Sequence, residues 1–314
     1  MHRALIGFTL FGFVLGSGCS SSHTAGMCAE DAFPAAKAGD LAAVEAAAAA
    51  AWAERKDVAK LREAIAQWKE AVAIAPKKAE NYTRLARAMY FLGDGYLRLD
   101  FQEADEAGDD SADAKEEEMV NTLEQAYLVA EKAIRIGNPD YAAAACAKEP
   151  LEETISKLDK SDIDAVYWYA VALGKHGLAT SLVTVLSNKE KIYLMMRRIE
   201  KLDPDFFYGA ADRYLAGYFT KVPFPGGDHD QSRKHFEKSI KASPNYLATR
   251  VLYAELLATK LKDKALGKKI FDEQLKFVDD TAADVIPEVE AEAILEKKKA
   301  KMLRDKFDET FWED

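Results

Sequence analysis

The sequence contains little cysteine, proline or glycine: 3 Cys, 9 Pro and 17 Gly among 314 residues. It also lacks sustained alternating runs of β-branched residues, so the pattern predicts an all-α fold. The N-terminal apolar run from Ala4 to Leu15 has twelve residues, whereas a membrane-spanning helix needs about 20. Because helix breakers are scarce and 49% of the residues are hydrophobic, the chain can build a substantial helical core.

Familiar catalytic and nucleotide-binding motifs are also missing, namely HExxH, GxSxG, Walker and GxGxxG patterns. His229 and His235 are six positions apart, which does not place them on one helix face. Residues 228–230 could imitate a metal cluster, but a helix-capping turn explains them better. The aspartates of residues 109–113 lack the spacing of a calcium loop. We therefore expect no catalytic residue, no metal site and no cofactor.

The chain is acidic, with a net charge of −10, and most of that charge comes from one segment. Residues 103–118 contain nine acidic residues and one lysine. We interpret this segment as an acidic insertion, a solvated loop that joins two helices. No basic stripe is present, which argues against nucleic-acid binding. One run of lysines is assigned to the water-facing side of a final helix: Lys297, Lys298, Lys299 and Lys301.

The N-terminus has the pattern of a lipoprotein signal. Arg3 precedes the apolar run, and small residues lead to Cys19. We predict a signal peptide over residues 1–18, acylation of Cys19 and a lipidated tether over residues 19–39. The acyl chains would hold the protein to a membrane surface without crossing it. An ordinary secretory signal cleaved nearby is the alternative.

The other two cysteines, Cys28 and Cys146, would face an oxidising compartment, where disulfides persist. A bridge between them would attach the tether to the folded body. Alternatively, both thiols remain unpaired, one in a flexible segment and one buried beside the alanines of residues 142–145.

Pairs of helices closed by a proline recur along the chain, which is typical of tetratricopeptide (TPR) repeats. The second helix of such a repeat carries a small–aromatic–small face, and this face occurs twice at 12, 8 and 5 positions before a proline. The two sets are Ser232, Phe236 and Ser239 before Pro244, and Ala64, Trp68 and Ala71 before Pro76. We predict that residues 40–314 form one TPR-like α-helical repeat domain, a solenoid of helical hairpins with flanking helices.

Several segments together have a more specific pattern: YGAADRYLAGY, PFPGGD, HFEKSIKASPNY, RVLYAELL, FQEADEA, AVYWYAVALG and AILEKKKAKMLRD. In these residues the chain resembles the T-component lipoproteins of periplasmic TRAP transporters (the TatT family), over roughly Asn81 to Leu303. The resemblance implies a non-catalytic, lipid-anchored protein on the periplasmic side of a bacterial membrane. It further implies a homotrimer, a cleft in each protomer and a TRAP solute-binding protein as the partner.

Aromatic residues are concentrated on the predicted first helices of the hairpins, whose inner faces form the concave surface of a TPR solenoid. Tyrosine combines apolar area with a hydroxyl group, and arginine can bind a carboxylate bidentately. The candidate ligand-binding residues are Tyr167, Trp168, Tyr169, Tyr208, Arg213, Tyr214, Tyr218, Arg250 and Tyr253. They would suit a small anionic or amphipathic ligand. The alternative is that at least half of these tyrosines belong to the repeat core.

Two functions therefore follow from the sequence. The first is a TRAP lipoprotein that binds or relays a small ligand for uptake together with its solute-binding protein. The second is a TPR scaffold lipoprotein that recruits protein segments during envelope assembly and binds no small molecule. An enzyme would need a catalytic constellation that the sequence does not supply.

Overall fold

The computed structural model describes residues 27–28, 34–223 and 226–313. The predicted signal peptide and Cys19 lie outside this part of the chain. The first half of this described part contains seven α-helices and a π-helical segment, which we call the first π turn (Phe91–Leu97). The α-helices are α1 (Leu41–Ala53), α2 (Val58–Ile74), α3 (Ala79–Tyr90), α4 (Arg98–Ala107), α5 (Ala112–Gly137), α6 (Pro139–Ala147) and α7 (Leu151–Ser156).

The second half contains further α-helices, several 3₁₀ turns and a second π turn (Tyr253–Leu257). The α-helices are α8 (Ile163–Thr180), α9 (Leu182–Leu202), α10 (Phe206–Lys221), α11 (His229–Ala242), α12 (Leu247–Leu252), α13 (Lys264–Asp280) and α14 (Glu290–Lys306). The 3₁₀ turns are Ala258–Lys260, Ala283–Val285, Pro287–Val289 and Glu309–Trp312. The described residues form no strands, and the all-α prediction is confirmed.

Several helix starts are fixed by side chains that accept the otherwise unpaired first amides. Asp228 Oδ1 accepts hydrogen bonds from the amides of Asp230 at 2.9 Å and Gln231 at 3.0 Å. This confirms residues 228–230 as a capping turn. Asp57 and Ser181 cap α2 and α9 in the same way.

Helices pack against one another in pairs: α1 with α2, α3 with α5, α8 with α9 and α10 with α11. The two small–aromatic–small faces lie inside these pairs: Phe236 is fully buried and Trp68 is 3% exposed. The flanking serines and alanines are fully buried, which lets the partner helix approach. The solenoid geometry of a TPR array remains an interpretation of this pairing.

The core consists of two hydrophobic clusters, one formed mainly by α1 to α10 and one by α11 to α14 with the second π turn. Helix α14 contributes to both: Leu295 packs in the first and Leu303 in the second. The C-terminal helix therefore returns to the N-terminal half, and the two π turns come to lie near each other beside it.

The acidic segment is more ordered than the sequence suggested. Helix α4 continues to Ala107 and α5 already begins at Ala112, so only residues 108–111 form a turn. Gly108 has φ = 64°, which ends α4 in the left-handed conformation that glycine tolerates. The prediction of a long loop over residues 103–118 was wrong. Its alanines favour helix, and its carboxylates can extend into solvent from exposed helix faces.

A disulfide joins Cys28 to Cys146, with the two Cα atoms 5.6 Å apart. Arg135 Nη1 lies 3.3 Å from Cys146 Sγ, while Arg135 Nη2 forms an ion pair with Glu131 at 2.9 Å. The bridge attaches the segment before α1 to α6. Within the described residues, no helix is both long and apolar enough to cross a membrane.

Candidate functional site

A cavity of about 530 Å³ lies between α3, the first π turn, α8, α10, the second π turn and α14. Its volume is in the range of small-molecule sites. One part of its wall is aromatic and another is charged, so the cavity offers two chemically different environments to one occupant.

The aromatic wall consists of Tyr90, Tyr167, Trp168, Phe207 and Tyr246. Trp168 is central, with ring centroids 4.8 Å from Tyr167, 5.2 Å from Phe207 and 5.6 Å from Tyr90. These rings are contributed by α3, α8, the start of α10 and the residue before α12, so the wall forms only when all four segments are packed. Such a wall can enclose an apolar or aromatic group.

A left-handed turn at the start of α10 positions Phe207. Phe207, Tyr208 and Gly209 have φ values of 41°, 61° and 70°, a conformation that costs roughly 1–2 kcal/mol for each non-glycine residue. Arg213 stabilises the turn, because it donates hydrogen bonds to the carbonyl oxygens of Phe207 at 3.2 Å and Tyr208 at 3.0 Å. Arg213 Nη2 also donates to the Tyr167 hydroxyl at 3.2 Å.

Arg213 is therefore held by its own protein. It is only 5% exposed, and no carboxylate oxygen of a described residue lies within 4.0 Å of its guanidinium. Its Cζ lies 4.4 Å from the ring centroid of Tyr246. The sequence suggested that Arg213 binds a ligand carboxylate. In the structure, its guanidinium donates three hydrogen bonds within the protein, two to carbonyl oxygens of the left-handed turn and one to the Tyr167 hydroxyl.

The charged wall is built on the two π turns, which carry Asp94 and Glu255. Arg98 connects the turns: Nη2 lies 2.7 Å from Glu255 Oε1 and Nη1 lies 3.5 Å from Asp94 Oδ1. Lys175 Nζ lies 2.8 Å from Asp94 Oδ1, and Lys299 Nζ lies 3.9 Å from Asp94 Oδ2. π-Helical segments are rare and frequently occur at functional sites.

Burial opposes ionisation of the charged groups in this wall, and the neighbouring charges decide the direction in which each pKa moves. Burial opposes ionisation of Asp94, but Lys175, Lys299 and Arg98 together hold the pKa of its carboxyl far below the ordinary value. Burial also opposes ionisation of Lys299, yet Glu296 and Asp94 raise its pKa. For Lys175, burial together with the nearby Arg98 and Lys299 outweighs the attraction of Asp94 and Glu255, so its pKa is lowered. Its ammonium group is thus incompletely compensated.

Basic groups outnumber acidic groups around the cavity, although the whole chain has a net charge of −10. The basic lining residues are Arg87, Arg98, Lys175, Lys189, Arg213, Lys221 and Lys299, and the acidic ones are Asp94, Glu116, Glu255, Glu292 and Glu296. The site is locally positive and favours an anion.

Five of the nine candidate residues from the sequence line the cavity: Tyr167, Trp168, Arg213, Tyr214 and Tyr218. Four do not, because they project from other faces of their helices. Tyr169 packs edge-on against Tyr127, Tyr208 stacks on the outer side of Tyr246, Arg250 lies over the Phe277 ring and Tyr253 stacks on Phe236.

Sequence reasoning missed the charged wall entirely. One signal was available, since Gly93-Asp94-Gly95 places a carboxylate inside a helix that is otherwise apolar. The lysine run of α14 was assigned wholly to solvent, which is wrong for Lys299, because this residue is 9% exposed and faces Glu296. Lys298 and Lys301 are exposed as expected.

A second cluster combines Glu200, Asp212 and His235, with possible ligand atoms within 4.8 Å of one another. The Lys238 ammonium already lies between the carboxylates, 2.7 Å from Glu200 Oε1 and 3.0 Å from Asp212 Oδ2. His235 Nδ1 lies 2.7 Å from Asp212 Oδ1. These contacts explain the cluster as an ion-pair network between α9, α10 and α11.

Comparison with known proteins agrees with the segments noted in the sequence. No curated protein matches the chain significantly. The family model described as TRAP transporter T-component matches residues 93–311, well over half of the chain, including Asp94, Arg98 and Glu255 of the charged wall. The chain belongs to the TRAP transporter T-component family.

Proposed function

We propose that this protein is a non-catalytic, membrane-anchored partner of a periplasmic TRAP solute-binding protein. It binds a small anionic or amphipathic ligand and passes it between the receptor and the membrane subunits of the transporter. The family gives the role in TRAP transport. The observation that carries the ligand-binding part is the cavity of about 530 Å³ with its aromatic wall and its surplus of basic groups.

The position at the membrane follows from the N-terminal sequence. Acylation of Cys19 anchors the protein on the periplasmic side, and residues 19–39 link the anchor to the helical body. A homotrimer is the assembly that the family resemblance implies. Ligand transfer by a protein of this kind requires no catalytic group. It requires a cavity that holds the ligand and a docking surface beside that cavity.

A cluster of exposed apolar residues lies at the cavity rim, in the hairpin between α8 and α9. Leu178, Leu182, Val183 and Leu186 are 52%, 60%, 73% and 40% exposed. Leu178 also lines the cavity, together with Thr184 and Val185 of the same hairpin. Exposed apolar clusters of this kind mark interaction sites. Because this rim hairpin is continuous with the cavity lining, we assign it to the solute-binding protein that exchanges ligand there.

The test is co-purification of the full-length, detergent-solubilised lipoprotein with the candidate solute-binding protein, followed by native mass spectrometry of the bound small molecules. We expect the receptor to be retained and an organic anion to be released on denaturation. Retention of peptides alone, with no receptor, would instead establish the scaffold function.

Variants at the cavity separate the two parts of the proposal. Tyr214→Ala removes a lining side chain outside the rim hairpin, so it should reduce ligand capture and leave receptor retention unchanged. Arg213→Ala should reduce both ligand capture and stability, because it also removes the hydrogen bonds that hold the left-handed turn. Unchanged ligand capture by both variants would contradict the assignment of the cavity.

A further inference from the structure

We propose that the part of the cavity between Lys175 and Lys221 is a subsite for one monoanionic group, such as the carboxylate of an amphipathic organic acid. The apolar body of the same ligand lies against the aromatic wall. This inference rests on the proposed ligand-binding function and specifies which basic groups recognise the charge.

Most basic groups of the cavity already have partners. Arg98 pairs with Glu255 at 2.7 Å, and Lys299 pairs with Glu296 at 2.9 Å. Arg87 lies 3.7 Å from Glu292 and between 5.0 and 5.4 Å from the ring centroids of Trp52, Trp168 and Phe207. Arg213 donates to backbone carbonyls and to a tyrosine. None of these four groups needs a ligand to complete its interactions.

Lys175 and Lys221 are different. Lys175 has a single carboxylate, Asp94, which it shares with Arg98 and Lys299. Lys221, at the end of α10, has no carboxylate oxygen within 4.0 Å among the residues that the structure describes. Both residues line the cavity.

The two ammonium groups have charged neighbours in common, although Lys175 is half-buried and Lys221 is exposed. Both side chains line the same cavity as Arg98 and as Glu255 of the second π turn. Desolvation lowers the pKa of each lysine, Glu255 opposes this effect in both cases and Arg98 reinforces it. We therefore place the anion in the part of the cavity that these two lysines line.

Charge balance indicates how much negative charge the subsite accepts. Around the π turns, the basic groups are Arg98, Lys175, Lys221 and Lys299, and the acidic groups are Asp94, Glu255 and Glu296. One positive charge remains in excess. A monoanion neutralises it, whereas a dianion leaves one negative charge in excess, and a neutral analogue leaves the lysines without an anionic acceptor.

The test uses the full-length, detergent-solubilised protein and three matched probes: 3-phenylpropionate, its primary amide and 3-phenylpropylamine. Isothermal titration calorimetry at constant pH measures binding of each probe. We expect the acid to bind about tenfold or more tighter than the amide, since hydrogen bonds to charged groups exceed neutral ones. The amine should not bind measurably.

Lys175→Met and Lys221→Met should each weaken binding of the acid about tenfold and leave binding of the amide nearly unchanged. Lys276→Met is the matched control, because the Lys276 side chain is 75% exposed and pairs only with Asp280 on the surface. Lys221→Met keeps the test valid even if Lys175→Met unfolds, since Lys221 has no ion-pair partner to lose within the described parts of the chain.

Equal binding of acid and amide, unchanged binding of the acid by Lys221→Met, or no binding of either probe would overturn the subsite. Receptor retention in the co-purification experiment decides the proposed function separately. A receptor that is retained while the lysine variants bind like the wild type would leave the transport role intact and eliminate only this subsite.

Discussion

Arg98 forms an ion pair with Glu255 at 2.7 Å across a separation of 157 positions in the chain. The contact joins the first π turn to the second, and so connects the two hydrophobic clusters of the fold at the cavity wall. Buried ion pairs add little net stability, because desolvation of both charges offsets their attraction. We therefore expect the ion pair between Arg98 and Glu255 to contribute more to the electrostatic potential of the cavity than to the stability of the fold.

Removing one member of the buried network should be costly. Asp94→Asn deletes the carboxylate that compensates Lys175, Lys299 and Arg98, and we expect it to reduce the free energy of unfolding by about 3 kcal/mol or more. Urea denaturation followed by circular dichroism measures the loss. Asp280→Asn, at a side chain that is 63% exposed, is the control and should change stability by less than about 0.5 kcal/mol.

The effect of Asp94 should also depend on pH. The folded-state pKa of Asp94 is depressed, so its contribution is present above the pKa of the unfolded chain, about 4, and is lost as pH falls toward the folded value. The difference in stability between the wild type and Asp94→Asn should shrink by about 1 kcal/mol between pH 4 and pH 3. A difference that stays constant over that interval would contradict the ionised assignment.

The contact between Gly174 and Tyr214 sets the shape of the cavity. A Cβ atom on Gly174 would overlap the Tyr214 hydroxyl, while Tyr214 Cζ would lie at 3.2 Å. Gly174→Ala should destabilise the protein by about 1–3 kcal/mol, and Tyr214→Phe in the same chain should restore most of the loss. Thermal unfolding of the four proteins in the cycle measures the coupling.

Gly137→Ala is the matched control for that cycle, because its nearest neighbours would lie at an ordinary 3.7 Å. It should leave stability unchanged or raise it slightly, since alanine is the better helix former. Strictly additive effects of Gly174→Ala and Tyr214→Phe would show that the hydroxyl is not the obstacle.

The bridge between Cys28 and Cys146 closes a long segment, with a sequence separation of 118. Replacing both residues by alanine should reduce the free energy of unfolding by about 2–4 kcal/mol, mainly because the unfolded chain regains freedom. Urea melts with and without reductant measure this. Reductant should lower the free energy of unfolding of the wild type to that of the double variant and should leave the double variant unchanged. A wild type whose stability does not respond to reductant would contradict the disulfide.

The rim hairpin offers a direct test of docking. Val183→Glu places a charge on the most exposed of its apolar residues, and we expect the solute-binding protein to be lost in co-purification while thermal stability is unchanged. Val285→Glu is the control, because Val285 is also exposed, at 41%, but lies outside the hairpin. Equal receptor retention by both variants would place the docking surface elsewhere.

The sequence predicted those features that depend on local spacing. Ser232, Phe236 and Ser239 share one helix face whatever surrounds them, and a short-range pattern reveals them. The family was also predicted correctly. Tyr167 and Arg213 line the cavity, and their role as ligand contacts stays a prediction.

The charged wall could not be predicted in the same way. The pairing of Arg98 with Glu255 depends on the return of α14 and the second π turn to the N-terminal half, which no local pattern reveals. In an α-helix, successive residues are rotated by about 100°, so one position in a run of lysines can be buried while the next is exposed. The sequence therefore did not distinguish Lys299 from its exposed neighbours. Tyr167 and Tyr169 are two residues apart, a rotation of about 200°, which places only Tyr167 on the cavity side.

The first π turn has a consequence for how such a site can change. A π turn accommodates one more residue than an α-helical turn. Deleting a single residue between Asp94 and Arg98 would return the segment to regular α-helix and rotate everything after it by about 100°. Arg98 would then leave the wall while Tyr90 stayed in place. Gain or loss of one codon, with no replacement of any cavity side chain, would thus be enough to break the contact between Arg98 and Glu255 and change the charge of the cavity wall.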